Sequence, residues 1–77
     1  MVFYFVSTMK LDRHKLIQRR AKKDWRQIDA ASKCGVSIKA IGKAEGGEEI
    51  DDLTAGKIAN GYGLDLAELE VVEKRSA

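Results

Sequence analysis

The chain has 77 residues, 44% of them apolar, and nine of the apolar ones are alanine; that is enough for one small domain with a modest core and excludes a second. One cysteine and one histidine exclude a disulfide framework and an all-cysteine metal site, and no carboxylates are spaced around either to complete a mixed site. The net charge of +2 hides a division: residues 10–43 carry eleven Lys and Arg against three acids, a balance of +8, whereas residues 44–77 carry three against nine, a balance of −6.

The basic half is drawn to a polyanion, although scattered lysines equally serve to solvate a helix face. The run Arg19, Arg20, Lys22, Lys23, Arg26 is dense enough to keep nucleic acid in view. No cofactor and no small-molecule substrate is expected. The apolar run Val2 to Val6 is too short to span a bilayer and lacks the basic flank of a signal peptide, so a soluble, cytoplasmic protein without a membrane partner is expected.

In chain order, Val2 to Val6 (VFYFV) is aromatic and β-branched and predicts a short extended strand. Ser7, Thr8 and Asp12 offer caps for a first helix running to about Lys22, with a thin apolar face of Leu16, Ile17 and Ala21 and with Leu11 and His14 at its margin. Asp24 with Gln27 three positions on resembles a capping box and predicts a second helix from Trp25 to Gly35. Ser37 caps a third helix ending at Gly46 and Gly47. Asp51 or Asp52 caps a fourth, ending around Gly61 to Gly63. Asp65 and Glu68 open a fifth, reaching about Glu73. Five short helices in so short a chain predict an all-α domain.

The informative stretch is Gln27 to Gly47. Ala31 stands four residues before Gly35 and Ile41 six after it, and a helix-turn-helix needs each of these. A small residue is required where the helices cross, and glycine supplies the positive φ of the turn. Val36, Ile41 and Ala44 form a buried face on the following helix. The face left bare carries Ile38, Lys39, Gly42 and Lys43, short and basic side chains suited to a major groove.

From about Lys15 to Leu69 the sequence resembles the Cro and CI-type (XRE-like) helix-turn-helix regulators of phages and bacteria. The sharpest part is Gly35 to Gly47 (GVSIKAIGKAEGG), supported by Gln27 at the start of the motif's first helix, Arg20 on the preceding helix, and Gly63-Leu64-Asp65-Leu66 leading into Leu69. The sequence departs from the family at Arg19, often apolar there, at Ala30 and Ala44, where larger aliphatics are common, and at Ile38, usually polar. The resemblance implies a five-helix, lambda-repressor-like domain over residues 10–77, behind an N-terminal extension of residues 1–9. It implies no enzyme but a repressor that binds double-stranded DNA as a homodimer on a palindromic operator, and an Arg20–Glu45 pair between the first and third helices.

The residues expected at the DNA are Gln27, Ser37, Ile38, Lys39 and Lys43, with Arg20, Lys22, Lys23 and Arg26 toward the backbone. Lys39 and Lys43 are otherwise two solvated lysines. Ile38 meets either a thymine methyl or a protein partner, and Gln27 either binds a phosphate or completes the Asp24 box. Cys34 and His14 are expected to pack, and Trp25 to anchor the core. Leu64, Leu66, Leu69 and Val72 form the expected dimer face. Met9-Lys10-Leu11-Asp12 reads as an ordinary start for the family, so residues 1–8 are either an upstream addition or a strand that pairs between subunits. A protein-interaction module on the same fold, such as an antitoxin or adaptor, is the alternative function.

Overall fold

A computed structural model of the protein describes residues 8–71. The VFYFV segment, Val72 and Glu73 therefore lie outside the described residues. The order is β1 (Thr8–Leu11), α1 (Arg13–Lys22), α2 (Gln27–Cys34), α3 (Ile38–Glu45), β2 (Ile50–Asp51), α4 (Asp52–Tyr62), α5 (Leu66–Leu69) and β3 (Glu70–Val71).

Five helices follow one another in the expected order, but α2 starts later and α5 ends sooner than expected, and the domain is not all-α. The strands form an antiparallel sheet of order β2-β1-β3. Thr8 and Met9 pair with Asp51 and Ile50 on one side of β1, and Lys10 and Leu11 pair with Val71 and Glu70 on the other. The sheet ties the start of the described chain to the segment after α3 and to the exit of α5. It also ends α5 after one turn.

Asp12 caps α1 as expected, its carboxylate accepting the backbone N–H of His14 at 3.0 Å and of Lys15 at 3.2 Å. The helix buries only Leu16; Ile17, Ala21 and His14 are exposed. His14 is thus a surface residue and not a packing one, because α1 has a single buried stripe one residue wide.

The junction of α1 and α2 also departs from expectation. Asp24 does not open α2; it closes α1. It has φ +60°, its N–H is bonded to Ala21 O and the Trp25 N–H to Arg20 O, each at 3.1 Å, which is a Schellman ending with aspartate in the left-handed position. Helix α2 starts two residues later than expected, at Gln27, with the Asp29 carboxylate accepting the Arg26 N–H at 2.9 Å. That N–H holds Asp29 below the usual carboxylate range. Because a left-handed residue with a Cβ is strained by roughly 1 kcal/mol, Asp24→Gly should raise the melting temperature by several degrees and Asp24→Ala should lower it. An N-cap aspartate would give a loss for both, most of it with alanine.

The core contains Leu11, Leu16, Ile41, Ile50, Ile58, Tyr62, Leu69 and Cys34, together with alanines 30, 31, 44, 55 and 59. Ala30 and Ala44 are fully buried, so the small residues set a close approach of α2 to α3 and α4. Cys34 packs as expected, and burial pushes its thiol pKa up. Trp25 is half-buried against the core, with its ring 5.6 Å from that of Tyr62. Leu69 is buried, and Leu64 and Leu66 pack against the core. Of the described part of the expected dimer face, Leu69 is therefore core, while Leu64 and Leu66 keep part of their surface exposed.

Candidate nucleic-acid interface

Gly35 makes the turn between α2 and α3, with φ +70° and the Val36 N–H bonded to Ala31 O at 3.0 Å. Ala31 is buried at the crossing, and Ile41 and Ala44 hold the inner face of α3 against the core. Ser37 caps α3, its Oγ accepting the Ala40 N–H at 3.0 Å. This leaves Ile38, Lys39 and Lys43 exposed on α3 and Gly42 partly so. Lys39 and Lys43 are one turn apart and share a side of the helix.

The angle of this pair of helices to α1 is held by an ionic clamp. Arg20 Nε donates to Glu45 Oε2 at 2.7 Å and Arg20 Nη2 donates to Glu45 Oε1 at 3.0 Å, a bidentate pair. The third arm, Nη1, donates to the Trp25 carbonyl at 3.0 Å, and Gln27 Nε2 donates to Glu45 Oε1 at 3.2 Å. One carboxylate thereby joins α1, the start of α2 and the end of α3. The side chains are 23% and 6% exposed, and the hydrogen bond that Arg20 donates to Glu45 raises the Arg20 pKa above its ordinary value. The Tyr62 hydroxyl is buried nearby without a hydrogen bond among the described residues; burial, then the Glu45 charge, pushes its pKa up to about 12.

The expected site residues therefore fall into groups. Ser37, Ile38, Lys39 and Lys43 lie together in the first two turns of α3. Arg20, part-buried, and Gln27, exposed, are both engaged by Glu45, and Gln27 completes no box with Asp24. Lys22 is exposed at the end of α1, Lys23 Nζ lies 5.0 Å over the Trp25 ring, and the Arg26 side chain is 81% exposed with a loose contact to Asp29 at 3.4 Å.

One feature was missed by sequence reasoning, which pooled all the acids of the C-terminal half. Glu48 and Glu49 are exposed directly after α3. An open groove of about 440 Å³ beside α3 has both the basic Lys39 and Lys43 and the acidic Glu49 and Asp51 in its lining. The approach to α3 is thus basic along the helix and acidic at its exit.

A capped, partly bare second helix held at a fixed angle across a glycine turn defines a helix-turn-helix domain. Residues 16–69 match the helix-turn-helix family model, and the chain belongs to that family, of the Cro/CI type. Its function is of the DNA-binding transcription-regulator type. No curated protein matches the chain. Among the described residues no helix is long and apolar enough to cross a membrane, and no group of His, Cys, Asp or Glu is arranged to hold a metal.

Proposed function

We propose that the chain is a sequence-specific repressor, cytoplasmic and of bacterial or phage type, that occupies a palindromic operator as a homodimer. The observation that carries this reading is the exposed face of α3, where Lys39 and Lys43 stand one turn apart beside a firmly capped N-terminus. In the groove Lys39 addresses guanine O6 and N7. Arg19, Lys22, Lys23 and Arg26 meet phosphates or steer the approach, while Arg20 and Gln27 act from behind by fixing the helices through Glu45. Two copies reach half-sites roughly 34 Å apart. The dimer contact does not use Leu69, which is fully buried in the core, whereas Leu64 and Leu66 are only partly buried beside it.

Binding titrations on a selected palindrome and on random duplex, at several salt concentrations, test this. Lys39→Ala should cost about 1–3 kcal/mol on the palindrome and much less on random DNA. Lys22→Ala should weaken both alike and lower the salt slope by about one unit. Equal losses for Lys39→Ala on both duplexes would make it a backbone contact. One observation favours a protein-interaction module instead: the exposed acids Glu48 and Glu49 stand just past the end of α3, the helix whose first residue is the exposed Ile38. Absence of any salt-dependent DNA binding by the parent protein selects that alternative.

A further inference from the structure

We infer that Ile38 is a specificity-determining residue that reads the 5-methyl group of a pyrimidine in the major groove. The inference rests on the DNA reading above and adds to it what the first position of α3 recognises. Ile38 is 48% exposed although Ile41 and Ala44, on the same helix, supply the buried face. The core therefore has no need of it. Its side chain has neither donor nor acceptor, so it cannot address N7, O6, N4 or O4 of a base edge. The one apolar feature that a base presents in the major groove is the C5 methyl of thymine, or of a methylated cytosine.

Two further features suit this task. The residue is β-branched and therefore stiff about χ1, and it sits in the turn that Ser37 fixes through the Ala40 N–H, so little freedom is lost on contact. One turn further along the same side of α3 stands Gly42, where a Cβ would meet nothing within 4 Å. The helix backbone is open there, and a base-pair edge can come close enough for its methyl to seat on Ile38. Lys39 and Lys43 flank the pair and supply the attraction to DNA.

The test uses the duplex recovered by selection, with each thymine replaced singly by deoxyuridine, which removes only the methyl. For the parent protein, one thymine per half-site should lose about fourfold in affinity, the value of one buried methyl-sized group. Ile38→Ala should bind the thymine and deoxyuridine duplexes equally, with a melting temperature close to the parent's. Gly42→Ala should melt higher, because alanine favours helix by about 1 kcal/mol, and yet bind at least tenfold more weakly, because the new methyl keeps the edge away. A palindrome bound with no thymine sensitive to deoxyuridine, or with the same sensitivity in Ile38→Ala, overturns the role of Ile38 and leaves the DNA reading standing. Absence of salt-dependent binding to every duplex overturns both.

Discussion

Replacing Glu45 by glutamine should destabilise the domain by about 3 kcal/mol, the low end of what stranding one partner of a buried ion pair costs. The side chain is 6% exposed and takes three hydrogen bonds, two from Arg20 and one from Gln27. Glutamine keeps the shape but removes the charge and turns one acceptor into a donor facing a guanidinium. Arg20 is 23% exposed, so water recovers part of its solvation, which places the cost at the low end. In a domain of this size 3 kcal/mol corresponds to a fall of roughly 12–24 °C in melting temperature. The double variant Arg20→Met/Glu45→Leu should recover most of it, since an apolar pair leaves no charge unpaired. A loss below about 0.5 kcal/mol in Glu45→Gln would mean that solvent screens the pair and that it does not set the helix angle. Tyr62 supplies a second readout. Its pKa of about 12 is held up by burial and then by Glu45, and without that anion its titration should move down.

The clamp shows where sequence reasoning reaches and where it stops. Nothing in the spacing of Arg20 and Glu45, 25 residues apart, predicts their contact; only the family resemblance pointed to it. Gln27 as a third member became visible once α2 was placed with its first turn beside the end of α3. The turn residues were easier. Gly35, Gly47 and Gly63 each have φ near +70° and each ends a helix, and glycine has few other reasons to stand just after an apolar-periodic segment. Asp24 was misread because aspartate is at home both as an N-cap and in the left-handed region, and Gln27 three residues on imitated a capping box.

The sheet was hidden for a different reason. Strands β2 and β3 have two residues each, too few to show a period of two, and the helical spacing of Leu66, Leu69 and Val72 runs straight through Glu70-Val71. That same spacing made the C-terminal leucines look like a dimer face. A core stripe and an interface stripe have one pattern, and only the position of α5 against α4 and the sheet tells them apart. The exposed α3 face was legible because burial of Ile41 and Ala44 leaves Lys39 and Lys43 nowhere else to point. The acids at its exit were counted but not located, since charge totals carry no direction.

Gly61→Ala should destabilise the domain by about 2 kcal/mol or more, although alanine is the better helix former by about 1 kcal/mol. Gly61 lies in α4 where α2 comes closest. A Cβ built there would overlap Cys34 Sγ and lie 2.8 Å from Cys34 Cα and 3.0 Å from its Cβ. A side-chain clash relaxes by rotation, but a clash with Cα relaxes only if the two helices part. Parting α2 from α4 opens the layer of Ala30, Ala31, Ala55 and Ala59, whose small side chains cannot fill the gap. Cys34→Ala in the Gly61→Ala background should therefore restore only part of the loss, because it removes Sγ and leaves Cα in place. The thiol reports the movement directly: Cys34 is buried, so it should react with a thiol reagent faster in Gly61→Ala than in the parent under native conditions. Full rescue by Cys34→Ala would mean that the contact is with the side chain alone. A gain in stability with unchanged thiol reactivity would mean that α2 and α4 leave room for a methyl group between Gly61 and Cys34, and that the small residues between them serve helix propensity rather than packing distance.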